Sequence, residues 1–249
     1  MALDRLDPPD DPLQGLGSLL WLVSPLLANL LLRTLGGDGW HDLGLRPHLK
    51  KSWRWYLASL IIVPVVVLLS LGIGALIGEI SLAGFQEQGL QALLPLMAAA
   101  FGGAMFKNIF EEFAWRGYLT PQLEALGIQP LLNSLLTGLV WAGWHVPYYL
   151  YYLDRTELQT HSTLSLPVFI LLAFLILPLQ SLADGELRLI SKSVWPAWLL
   201  HNIANAVSLP LIGEGFVTLN DGFSGAFFSP GTQGIVHTLL MFAVGFVLY

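Results

Sequence analysis

Cysteine is absent from the 249 residues, which excludes a disulfide framework, a thiolate metal site and a thiol nucleophile. Charge is scarce as well, at 11% Asp, Glu, Lys and Arg against 55% hydrophobic residues. Basic residues number 11 and acidic residues 17, giving a net charge of −6. No basic run occurs, which argues against nucleic acid as a partner. The opening MALDRLDPPDDPLQG lacks the positive n-region of a secretory signal, so the first apolar run reads as a retained span. Neither an internal repeat nor a low-complexity tract is found, so inverted-repeat transporter folds gain no support.

What the chain has is hydrophobic length. A mean hydropathy of +0.65 is outside the range of an ordinary soluble domain. Runs close to the 20 or so residues that a span requires occupy 16–32, 55–78, 89–106, 131–153, 164–183, 194–213 and 233–249. The fold class expected is all-α: a polytopic membrane helix bundle of about seven spans (six to eight). An acidic non-membrane tail over 1–15 precedes a single transmembrane domain over 16–249. Pro25, Pro64, Pro95, Pro178 and Pro210 fall inside the runs, which spanning helices tolerate where neighbours satisfy the freed backbone groups. Arg33, Arg46, Lys50, Lys51 and Arg54 collect between the first two runs, which puts this loop on the cytoplasmic side and the N-terminus outside. By alternation, residues 78–89, the loop at Arg155 and the Gly-rich stretch 213–231 lie outside, and Arg116, Arg188 and Lys192 inside. Membrane lipids are the surroundings expected of such an integral, multi-pass protein of a bacterial-type inner or internal membrane.

Ionisable residues inside spans are costly and point to function. The third run continues without a breaker to Pro121, predicting one helix from about Leu90 to Tyr118 that carries Lys107, Glu111, Glu112 and Arg116. At roughly 2.5–3.5 kcal/mol for each centrally placed charge, four unpaired ones would cost on the order of 10 kcal/mol. Glu112 and Arg116 are four apart in the favourable order and read as a pair. Glu111 lies about 100° round the helix and is left as the carboxylate free to act. Lys107, four residues before Glu111, is a modulator: pairing with Glu111 would weaken it as a base, and the lysine could instead bind a substrate carboxylate.

Two further polar insertions accompany these charges: His145 in VWAGWHVPYYL, and His201 with Asn205 in WPAWLLHNIANA. His201 and Asn205 share a helix face, whereas Asn202 lies on another and reads as structural. By helical rise, His145 lies about 20 Å along its span and His201 about 9 Å along its own from the same side, so tilt or a shifted boundary must bring them together. A carboxylate and an imidazole can polarise a water, while His and Asn donors stabilise the oxyanion of a tetrahedral intermediate. Glu111, His145 and His201 could equally hold Zn2+ and leave a position open for water. His41, His48, His161 and His237 carry no such neighbours, and Trp53, Trp55, Trp195 and Trp198 read as interfacial anchors.

These residues resemble the CPBP membrane proteases, which include the type II CAAX prenyl endopeptidases and the bacterial Abi proteins. Glu111, Glu112 and Arg116, followed by Gly117 and Tyr118, are similar to the family's EExxxR motif. Trp141 and His145 correspond to FxxxH, with Trp141 in place of Phe, and His201 with Asn205 corresponds to HxxxN. The resemblance implies an intramembrane endopeptidase acting on a prenylated or other membrane-associated peptide. Glu111 and His145 would activate water, His201 and Asn205 would form an oxyanion hole, and Glu112, Arg116 and Trp141 would support the site. Family members are also described as metalloproteases. The alternative is an inactive member serving as a scaffold, immunity or assembly subunit that binds a membrane peptide, a lipid or a partner membrane protein.

Overall fold

A computed structural model describes residues 15–153, 164–220, 226–230 and 234–249. The tail expected over 1–15 falls outside these residues except for Gly15, as do Arg155, His161 and part of the Gly-rich stretch. Each of the seven apolar runs forms a helix. In chain order these are α1 (Leu16–Thr34), α2 (Leu49–Leu76), α4 (Leu90–Ala114), α6 (Pro130–Tyr151), α7 (Leu166–Ser191), α8 (Trp195–Gly213) and α9 (Ile235–Leu248). Two short helices, α3 (Ala83–Gln88) and α5 (Thr120–Ala125), complete the described set used below. Pro25, Pro64, Pro95, Pro178 and Pro210 all lie inside helices.

Among the described residues, four helices are long and apolar enough to cross a membrane: α1, α2, the continuous stretch Leu90–Ala125, and α7. The helix α9 is apolar but only 14 residues long. That α6 and α8 are not among the four follows from what they bury, since Asn133, Ser134 and Thr137 on α6 and His201 and Asn202 on α8 are enclosed polar residues. These are inward-facing helices of a bundle, and their polar content is spent on neighbours rather than lipid.

Packing is densest where α6 meets α7, α4 meets α8, α2 meets α8 and α7 meets α9. Val63 and Val67 of α2, Leu187 of α7, Leu200 and Val207 of α8 and Met241 of α9 form one apolar core. The α6–α7 crossing depends on missing side chains. A Cβ on Gly138 would lie 2.4 Å from Pro178 Cα, and one on Gly185 would lie 2.2 Å from Ser134 Oγ. Small residues at such a crossing let two backbones approach closely.

The ends of the bundle are distinct. At one, β1 (Ile80–Ser81) pairs antiparallel with β2 (Thr218–Leu219), Ile80 opposite Leu219. At the other, the α1–α2 loop meets the α7–α8 turn through Val194 N–H on Gly44 O at 3.0 Å and Trp195 Nε1 on Leu45 O at 2.7 Å. Lys192 Nζ reaches Glu124 there at 3.2 Å.

The helix carrying the first motif does not end before Pro121 as its sequence suggests. It passes through a π-helical turn over Trp115–Leu119 and continues as α5, with Pro121 in its first turn. In the π register Thr120 N–H bonds Trp115 O, five residues back, and Pro121 has no N–H to offer. The carbonyls of Arg116 and Gly117 thereby lose their helical donors, and two arginines from other helices supply replacements. Arg188 Nε donates to Arg116 O at 2.9 Å, and Arg33 Nη2 donates to Gly117 O at 2.5 Å. Arg33 therefore departs from its expected role as a loop charge. It is fully buried and bonds Asn29 Oδ1, Gly39 O and Asp42 as well. Arg46, Lys50, Lys51 and Arg54 remain exposed.

Candidate functional site

The site is built where α4 enters the π-turn, facing α6, α7 and α8. Glu111, Glu112 and Arg116 are each fully buried. Arg116 Nη1 donates to Glu112 Oε1 at 2.9 Å, as their spacing predicts, and Nη2 reaches Ser181 Oγ at 2.9 Å and Asp184 Oδ2 at 3.4 Å on α7. The same Glu112 oxygen accepts from His201 Nδ1 at 2.9 Å. Glu112 thus joins α4 to α8, and Arg116 joins α4 to α7. A buried charge requires such partners, because taking an ion out of water costs several kcal/mol unless hydrogen bonds compensate.

Glu111 points away from this pair and is not free. Lys107 Nζ, one helical turn earlier and about one-third exposed, bonds Glu111 Oε1. Trp141 Nε1 donates to Oε2 at 2.7 Å. Of the alternatives that the sequence leaves open for Lys107, the structure has the pair with Glu111, whereas the Trp141 contact across helices is one the sequence does not show. Trp141 does more than stand in for the motif's phenylalanine: its indole hydrogen bond is one that a phenylalanine cannot make. Its ring also lies beneath the Arg116 guanidinium, 5.3 Å from the centroid, a separation suited to cation–π attraction.

Trp141 brings the two histidines together. Its ring lies 5.7 Å from the His145 ring and 5.2 Å from the His201 ring, centroid to centroid. The difference in depth between the histidines is thereby spanned by an indole one turn before His145. His145 Nδ1 lies 3.0 Å from Trp141 O. A carbonyl can only accept, so Nδ1 carries the proton and neutral His145 keeps a lone pair on Nε2. By the same logic His201 donates from Nδ1 to Glu112, and it donates from Nε2 only as the imidazolium, whose charge Glu112 would balance.

Asn205 Nδ2 donates to Asn108 Oδ1 at 3.1 Å, and Asn108 Nδ2 donates to Asn202 Oδ1 at 2.8 Å. Asn202 also bonds Phe101 O, so its structural reading holds. Asn108 is fully buried and orients Asn205, a role that sequence reading missed. Its signal was a lone amide in an apolar helix, four residues before Glu112. Asp184 was missed because the apolar run at 164–183 stops one residue short of it.

Among the described residues, no three His, Asp or Glu side chains are gathered to hold an ion. Both Glu111 oxygens already accept hydrogen bonds, one of them from the Lys107 ammonium. What the arrangement can do is hold two carboxylates, two imidazoles and an amide in a shell closed by Trp141.

Residues 89–207, a little under half of the chain, match the family model described as Type II CAAX prenyl endopeptidase Rce1-like. The three motifs lie within that segment, so the resemblance to CAAX-type membrane proteases is shown there. A search of the curated proteins finds no match.

Proposed function

With the type II CAAX prenyl endopeptidase match as premise, we propose that the chain is an intramembrane endopeptidase. It hydrolyses a peptide bond in a prenylated or otherwise membrane-associated peptide. The observation that carries this reading is the meeting of Glu111, His145 and His201 around one indole, from three separate helices. Nothing in packing alone calls for a carboxylate and two imidazoles at that point of an apolar bundle.

In the reaction, Glu111 takes a proton from a water that also hydrogen-bonds the Nε2 lone pair of His145 as the water attacks the scissile carbonyl. That proton passes to the leaving amine nitrogen as the C–N bond breaks. The developing oxyanion is met by the second Nδ2 hydrogen of Asn205 and, when the His201 ring carries a proton on Nε2, by that N–H. Glu112 and Arg116 keep His201 and the helix end in place, since Glu112 accepts from both. For Glu111 to act, the Lys107 ammonium must leave Oε1. The part of Lys107 that is exposed gives it somewhere to go.

A second reading rests on that same contact. If Lys107 never leaves, the fold is a binding scaffold that holds a membrane peptide or lipid without cutting it. Purified protein incubated with farnesylated and unmodified membrane peptides, beside Glu111→Ala and His201→Ala, separates the two. The protease reading expects cleavage by the wild type that both substitutions abolish. Cleavage surviving in both sinks the mechanism, and a folded wild type that cuts no peptide supports the scaffold.

A further inference from the structure

The first helix lies outside the segment that matches the protease family, yet its inward face is built from polar groups aimed at the site. Its buried residues are Ser18, Pro25, Asn29 and Arg33. Trp21, Pro25, Asn29 and Arg33 recur every fourth residue and so form one stripe. The leucines at 19, 20, 27, 30 and 31 point outward and are exposed. A helix held only by apolar packing would show the reverse weighting, with its large side chains on the protein side.

Three members of the stripe, Trp21, Asn29 and Arg33, reach backbone beside a site residue. Pro25 frees the carbonyl of Trp21, four residues earlier, which then accepts from Ser24 Oγ at 2.7 Å and Trp144 Nε1 at 3.3 Å. In return, Trp21 Nε1 donates to Trp144 O at 2.9 Å. The two indoles stack with centroids 4.2 Å apart and planes 11° from parallel. Trp144 precedes His145, and its ring lies 4.8 Å from the imidazole, edge-on. One turn of α6 is thus fixed from outside at the histidine. Lower down, Asn29 Nδ2 donates to Phe113 O at 2.8 Å, next to Glu112, and Arg33 closes the Gly117 carbonyl opened by the π-turn.

We propose that α1 is a positioning strap for the site. Trp21 sets the orientation of His145, and Asn29 with Arg33 holds the end of the helix that carries Glu111 and Glu112. The hydrogen bonds specify register as well as contact, because a slip of one residue on α1 would turn every member of the stripe away by about 100°. The kinetic consequence rests on the protease reading above, whereas the effect on the His145 ring does not.

The test uses the full chain labelled with 15N-histidine in lipid nanodiscs. Six histidines keep the spectrum simple, and His145→Ala assigns the resonances in question. Trp21→Phe keeps an aromatic stack and removes the Nε1 donor; Trp21→Tyr is a second variant should the first fail to fold. The strap predicts that the His145 ring resonances move while those of His41 stay, with the thermal midpoint nearly unchanged. It also predicts that kcat falls by about tenfold at constant KM, since sub-ångström misplacement of a catalytic group is costly. Unmoved His145 resonances in a folded variant overturn the strap, whether or not any peptide is cleaved. Moved resonances in a protein that cleaves nothing uphold the strap and count against the protease reading instead.

Discussion

Lys107 and Glu111 form the contact on which the proposed activity turns. The ammonium and the indole of Trp141 occupy the two carboxylate oxygens, contacts of the kind that offset the cost of burying a carboxylate. Lys107→Met is therefore expected to lower stability by about 3 kcal/mol, because it leaves a buried charge unpaired. Adding Glu111→Gln should recover most of that loss, a coupling that thermal unfolding of the four variants in a double-mutant cycle reads directly. Recovery of nothing would mean the two side chains do not interact. Arg116→Met should cost more, about 4 kcal/mol, since it strips Glu112, Ser181 and Asp184 together. The two local pairs were legible because i,i+4 geometry on a helix is fixed by the backbone. The bonds from Trp141 to Glu111 and from His201 to Glu112 were not, because they depend on how three helices cross.

Among the elements, the π-turn is the one least visible in sequence. Pro121 signals a break, and an α-helix would have ended there. Here the chain continues because side chains from elsewhere supply the donors that the backbone lost. Arg33 and Arg188 read as ordinary cytoplasmic charges for the same reason: their partners are carbonyls, which sequence does not mark. Arg188→Met should leave Arg116 O without its donor and cost about 1–3 kcal/mol, seen as a lower thermal midpoint in detergent. An unchanged midpoint would mean the carbonyl finds another partner. The α6–α7 crossing yields a sharper expectation. Gly138→Val places a Cβ 2.4 Å from Pro178 Cα, and backbone cannot yield as a flexible side chain can, so a loss of about 2–3 kcal/mol or a failure to fold is expected. The apolar runs themselves were readable throughout, since each is a helix in the structure, although α6 and α8 carry more buried polar groups than a lipid-facing helix would.

As a whole molecule, the chain is a helical membrane bundle with a CAAX protease-like segment at its centre. Its two ends sort the loops as alternation of spans expects, with 78–89 joined to 213–220 by the small sheet and the α1–α2 loop joined to the α7–α8 turn. The positive charges of Lys50 and Lys51 predict that the second end faces the cytoplasm. Because cysteine is absent, single substitutions test this cleanly. Lys51→Cys should react with an impermeant maleimide only from the cytoplasmic side, and Glu87→Cys only from the other; labelling with the sides exchanged would invert the topology. The central claim, that Glu111 and His145 activate water for peptide hydrolysis, is tested most directly in proteoliposomes by following cleavage of a farnesylated peptide. Wild-type protein should cut it, with Glu111→Gln and His145→Ala each slower by at least about a hundredfold while both remain folded. Cleavage at the wild-type rate by either variant would contradict the account.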